Sequence, residues 1–294
     1  MKNSPTCLPP QILSERPPRS AWTKRHQRDA RSRAALFTGL WIVCAALSAA
    51  PPLTVQIAFI GPPASDAHAG ADQGIREANA QGKFLGLSYT LVDVPDVSAA
   101  LAAQVSAIVV ADTARDLPAL AVQATGTPVL NVSAEDDRLR AHCINNLFHT
   151  IPSQTMRADA LKQWQQKQAH SHAQARAWHN SAELYAGAQL NKRYAEQSGR
   201  AMNDQAWAAW AAVKLLADTI ARLHSSERAG LLTALHHELA FDGQKGVDMD
   251  FRDNGQLRQP LLLIEDNKIV GEAPVRGIVA NGDLDSLGAT SCPK

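Results

Sequence analysis

Apolar positions along the chain fall into short continuous runs, separated by turn residues and by stretches of helical spacing. Thr54 to Ile60 reads as a buried strand ending in the turn Gly61-Pro62-Pro63. Asp66 to about Ala80 has helical spacing, and Gly82 is read as its stop. A second strand (Leu87 to Val92), a short helix (Val97 to Gln104) and a third strand (Ala107 to Val110) follow. A helix over Leu117 to Ala124 precedes a fourth strand, Pro128 to Val132. Strands alternating with helices at this spacing predict right-handed crossovers and a parallel sheet, the doubly wound α/β class. Such sheets bind small ligands at the carboxyl ends of their strands. The loops after Ile60, Val110 and Val132 are therefore the candidate site.

Beyond Pro152 the pattern turns helical. Ser153 to Gln168 is a predicted helix capped by Ser153, with Met156, Ala160, Leu161 and Trp164 on one face. Ser181 to Gln197 is another, with Leu184, Ala188 and Leu190 on its apolar side. Asn203 or Asp204 caps a third, running to about Leu223 with a stripe of Trp207, Trp210, Ala211, Lys214, Leu215 and Asp218. Two tryptophans at that spacing share one helix face and read as core rather than as a stacking platform. Glu227 to Leu235 is a short fourth helix. Val247 to Phe251, Leu261 to Glu265 and Lys268 to Val270 read as strands, with Asp266-Asn267 as the tight turn of a C-terminal hairpin. Between Trp164 and Ala240 there is no apolar run of the kind a parallel sheet needs.

The first 48 residues have a different layout. Lys24, Arg25, Arg28, Arg31 and Arg33 lead into the uncharged apolar stretch Ala34 to Leu47, and Ala46-Leu47-Ser48 is a small-x-small cleavage site. This is the pattern of a secretory signal peptide, with an uncleaved anchor as the alternative. The apolar stretch is short of the ~20 residues a full span needs, so no stable membrane span is expected after cleavage. N-terminal sequencing of protein from the periplasmic fraction should start near Ala49; a full-length cytoplasmic product would overturn the export reading.

Removing the leader changes the charge. It holds eight of the 29 Lys+Arg and two of the 28 Asp+Glu, leaving 21 basic and 26 acidic residues and a net charge of −5. That disfavours nucleic acid or an anionic membrane surface as partner. Two cysteines remain, Cys143 and Cys292. In an oxidising compartment an even pair is a candidate disulfide, and two unpaired thiols are the alternative.

Enzyme signatures are absent: there is no G-x-S-x-G elbow, phosphate-binding glycine loop, C-x-x-C or H-E-x-x-H. His170-x-His172 with His179 has no Cys or carboxylate nearby to complete a metal set, and reads as a polar linker. His68 and His149 lie near the expected cleft with no evident charge partner in sequence, which favours structural roles over catalysis. No enzyme activity, cofactor or metal is expected.

Several segments carry a family resemblance. Ile57-Ala58-Phe59-Ile60-Gly61-Pro62, the helix Gly70 to Asn79, Phe148-His149-Thr150-Ile151-Pro152-Ser153, the helix Ala208 to Ile220, and Phe241-Asp242-Gly243 with Val247 to Arg252 together resemble type I periplasmic solute-binding proteins of the branched-chain amino-acid-binding kind. Asp136-Asp137-Arg138-Leu139-Arg140, Cys143, and Leu284 to Gly288 with Cys292 resemble a branch found with quinoprotein (PQQ-dependent) alcohol oxidation systems. The resemblance implies a periplasmic binder of a small organic molecule, partnered by an ABC permease or a quinoprotein dehydrogenase. It places ligand contacts at Ser65, Asp112, Thr113, Ser133 and Glu135. Asp112, Glu135 and Asp136 would repel a carboxylate, with Arg115 the one evident counter-charge, which argues against an amino-acid ligand.

Family members close a second α/β lobe over the ligand, and here that lobe lacks its strands. The expected organisation is a signal peptide over 1–48, a first-lobe domain over 49–152 and 203–294, and a helical remnant of the second lobe over 153–202. A protein-interaction or relic domain that no longer traps ligand is the alternative function.

Overall fold

The computed structural model describes residues 52–112 and 116–292. The expected leader lies outside these residues, as do Thr113 and Arg115. Strands β1 (Leu53–Ile60), β2 (Leu87–Asp93), β3 (Ala107–Val110), β4 (Val129–Asn131) and β5 (Leu147–His149) form one sheet in the order β2-β1-β3-β4-β5. Every pairing is parallel. The order reverses between β1 and β3, so the crevice at their carboxyl ends is where this topology offers a ligand site.

Alternation along β1 divides its side chains between two layers. Val55, Ile57 and Phe59 join a core with the helices α1 (Asp66–Leu85) and α7 (Asp204–Leu223). Ala58 and Ile60 join a second core with α2 (Val97–Ala102) and α3 (Leu117–Gln123). Helices therefore cover both faces, as the near-continuous apolar strands require. The tryptophan stripe of α7 is core: Trp207 is fully buried and Trp210 is 2% exposed.

Several expected boundaries move. Helix α1 runs through Gly82 and ends at Gly86, whose φ of 67° and N–H to Gly82 O form the C-cap. Gly82 marks a close approach instead, because a Cβ there would sit 2.5 Å from Leu87 O. Helix α6 is Gly187–Ser198, not Ser181 to Gln197. Tyr185 and Ala186 hold φ of 51° and 67°, which a right-handed helix cannot include. Val247 to Phe251 makes isolated bridges, Phe241 to Met249 and Phe251 to Leu257, and not a strand. Gly255 to Leu257 runs along β5, with His149 N–H donating to Gly255 O and Leu257 N–H to His149 O, and so covers that sheet edge.

Helix α5 (Gln154–Lys167) leads into β6 (Gln174–Arg176), in the segment read as a polar linker without strands. β6 pairs antiparallel with β7 (Leu261–Glu265), which pairs with β8 (Lys268–Ala273). Only Ala175 of β6 points inward, so the segment carries almost no apolar signal. Anchoring comes from Glu265, which accepts from Ser171 Oγ at 3.1 Å and from His172 N–H at 2.6 Å. The expected turn Asp266-Asn267 has φ of 48° and 60°, as a type I′ hairpin requires. The inner face of this sheet packs on Met156, Ala160 and Trp164 of α5 and on Leu287 near the C-terminus. A disulfide joins Cys143 to Cys292 (S–S 2.08 Å). Among the described residues no helix is long and apolar enough to cross a membrane.

Candidate functional site

The loop after β4 is built around the Asn131 side chain, which is fully buried. Its Oδ1 accepts from Ser133 N–H (3.2 Å) and Ala134 N–H (2.9 Å), and its Nδ2 donates to Ala134 O (2.7 Å) and His149 Nδ1 (3.0 Å). This local turn lifts Ser133 to the carboxyl end of the sheet. The same loop is held from outside by Arg140, a buried guanidinium donating to Ala134 O, Asp136 O, Ile151 O and Gln256 Oε1 at 2.9–3.0 Å. Burial pulls the Arg140 pKa down to about 10, which leaves it charged at neutral pH. His149 is fully buried; burial, then the Arg140 charge, lowers its pKa well below the usual histidine range. It is a neutral structural ring.

The expected ligand residues meet different fates. Ser65 caps α1: its Oγ accepts from His68 N–H at 3.1 Å and donates to Pro62 O at 2.7 Å. Asp112 ends the described part of the loop after β3. Thr113 lies outside the described residues. Ser133 is 6% exposed, and its Oγ has no hydrogen-bond partner in the protein. Glu135 is taken up by Arg157 of α5, whose Nη2 and Nε lie 2.8 and 3.2 Å from its two oxygens. The repulsion of a carboxylate expected from Glu135 is therefore largely cancelled. Asp136 is paired with Arg138, whose hydrogen bonds pull its pKa down to about 2.

Arg157 extends the tie. Its Nη2 also lies 2.7 Å from Asp204 Oδ2, an ion pair by distance without hydrogen-bond alignment. Asp204 Oδ1 accepts from Trp178 N–H at 3.0 Å, and Arg157 Nη1 donates to Ala175 O at 2.6 Å. Glu135, Arg157 and Asp204 thus join the loop after β4 to α5, β6 and α7. Two open grooves flank this chain of charges. One of about 650 Å³ is lined by Arg176, Trp178, His179, Asn203, Asp204 and Glu265. The other, about 270 Å³, is lined by Glu135, Arg157, Leu161 and Arg176.

Sequence reasoning missed Arg157 and Arg176, and read Asp204 only as a cap. The cap is Asn203, whose Oδ1 accepts from Ala206 N–H, and this leaves the Asp204 carboxylate for Arg157. His68, read as lacking a partner, sits 2.9 Å from Asp93 Oδ1 and edge-on to Phe59. His179 is engaged by Ser181 Oγ and Asn267 Oδ1. Among the described residues no group of three or more His, Cys, Asp or Glu is placed to hold a metal.

This sheet order and these strand-end loops place the chain in the type I periplasmic binding protein fold, which solved structures share at low identity. LivJ from Streptococcus pneumoniae, a branched-chain amino-acid substrate-binding protein solved with isoleucine, is similar at TM-score 0.57 and 13% identity, over 75% of this chain and 98% of that one. A binding protein for leucine, isoleucine, valine, threonine and alanine from Brucella ovis matches at TM-score 0.62 and 12% identity, over 73% and 89%. A solute-binding protein from R. palustris in complex with benzoate matches at 0.59 and 11%, over 74% and 95%. No protein-family model and no curated protein matches the chain.

Proposed function

We propose that the protein is a periplasmic binding component that holds a small organic molecule at the loops after β1, β3 and β4. It would serve an ABC uptake system, or act as an accessory to quinoprotein alcohol oxidation. The observation that supports this most directly is Ser133: a buried hydroxyl without a hydrogen-bond partner in the protein, at the carboxyl end of β4. A buried polar group left unmatched costs free energy that a ligand would recover. Asp112, Thr113 and Ser65 complete the proposed contacts.

We further propose that residues 153–202, together with the small sheet they share with the hairpin, are what remains of the second lobe. Binding proteins of this fold gain affinity when the second lobe closes and excludes water. A three-stranded sheet tied to the first lobe by Arg157 has little left to close. The expected affinity is weak, about 0.1 mM or poorer, or roughly −5 kcal/mol. Calorimetry against amino acids, short alcohols and aromatic acids tests this, with Ser133→Ala expected to weaken any ligand about five- to tenfold. A micromolar ligand with compaction in solution scattering would show that a partner completes the site. No binding to any of them would favour the second reading, an interaction or relic domain that traps no ligand.

A further inference from the structure

The sequence contains two Asn-Gly pairs, Asn254-Gly255 and Asn281-Gly282. This dipeptide carries its own chemistry. The glycine backbone nitrogen can attack the asparagine side-chain amide and close a five-membered ring, because no Cβ on glycine shields that nitrogen. The reaction needs an unengaged side chain, an unbonded glycine N–H and room for the backbone to turn.

Asn254-Gly255 meets none of these conditions. Asn254 is 3% exposed; its Nδ2 donates to Ala289 O at 3.0 Å and its Oδ1 accepts from Gln256 N–H at 3.1 Å. Gly255 N–H donates to Arg252 O at 2.8 Å. A Cβ at Gly255 would lie 2.1 Å from Leu147 O, so the pair is wedged against β5.

Asn281-Gly282 meets all of them. Both residues are exposed, in a turn that Asp283 N–H closes by donating to Ala280 O at 3.2 Å. Among the described residues neither the Asn281 amide nor the Gly282 N–H has a hydrogen-bond partner. Gly282 holds φ of 75°, and a Cβ there would meet no atom within 4 Å.

We propose that Asn281 is a site of spontaneous covalent modification, converting to isoaspartate and aspartate through a succinimide with Gly282. Gly282 N loses its proton and bonds to Asn281 Cγ, the Cγ–Nδ2 bond breaks, and ammonia leaves. Water then opens the ring. Cleavage at the backbone carbonyl gives isoaspartate, and cleavage at Cγ gives aspartate. Either product adds a negative charge close to Asp283 and Asp285 in the chain. The isoaspartyl link also lengthens the backbone by a methylene, just before the Leu284 carbonyl that Arg252 holds. The assignment is independent of the ligand site.

The test is incubation of the folded, oxidised protein in mildly alkaline heavy-oxygen water, followed by peptide mapping with fragmentation that separates isoaspartate from aspartate. The Asn281 peptide should take up heavy oxygen and yield both products. The Asn254 peptide should react at least about tenfold more slowly, since reaction there waits for local opening. In denaturant the two peptides should react at similar rates, which shows that the fold makes the difference. The acidic species that accumulates on ion exchange should be absent from Asn281→Gln. Equal rates at the two sites in the folded protein would overturn the proposal. So would an intact Asn281 in the folded protein when the denatured chain reacts at both.

Discussion

Replacing Cys143 and Cys292 together by serine should lower the unfolding free energy by about 3 kcal/mol, the middle of the range for native disulfides. The bridge spans 149 residues, and loop entropy alone sets an upper bound of about 5 kcal/mol for a loop of that size. The lower figure is expected because the C-terminal segment has other anchors. Arg252, fully buried, donates to Leu284 O and to Asp285 Oδ1, and Asn254 Nδ2 donates to Ala289 O at 3.0 Å. Those contacts hold the tail near the first core even without the covalent link. Chemical denaturation of oxidised wild-type and double variant, compared at equal slope, measures the difference. A change below about 0.5 kcal/mol would mean that the Arg252 clamp alone fixes the tail.

Gly70→Ala should destabilise by about 2 kcal/mol or more, although alanine is the better helix former by about 1 kcal/mol. Helices α1 and α7 meet across Gly70 and Gly74. A Cβ at Gly70 would lie 2.0 Å from Ala206 O and 2.7 Å from the Ala206 carbonyl carbon. Those are backbone atoms of a buried helix, so relief requires the two helices to part and loosens the core between Ala71, Trp210 and Val213. Gly230→Ala supplies the control. That glycine lies in α8 (Arg228–His237), and an added methyl would meet no atom within 4 Å, so propensity alone should act there. Thermal unfolding should move in opposite directions for the two variants, down by several degrees and up by about 2–4 °C. A Gly70→Ala protein as stable as wild type would show that the helices do not approach so closely in solution.

The parallel sheet was legible because β3 and the second half of β1 are continuous apolar runs between turn residues, while the edge strand β2 alternates apolar and polar residues at its start. The type I′ turn at Asp266-Asn267 was legible for a local reason as well: its residues tolerate positive φ. β6 was not, since one inward alanine in three residues carries no periodicity and the strand exists only because β7 offers an edge. Gly82 was not legible either, because a glycine that stops a helix and one that admits a neighbouring strand look alike in one dimension.

The candidate site divides the same way. Hydrophobic periodicity alone determined which strands end at the crevice, and so which loops, those of Ser65, Asp112 and Ser133, face it. Only tertiary structure decided what those side chains do there. Ser65 turns inward to cap α1, Glu135 is claimed by Arg157 from 22 residues away, and Ser133 is left with a buried, unmatched hydroxyl. Ion pairs and unmatched groups depend on which distant segments fold into contact, and charge pairing has no period along a chain from which to read it.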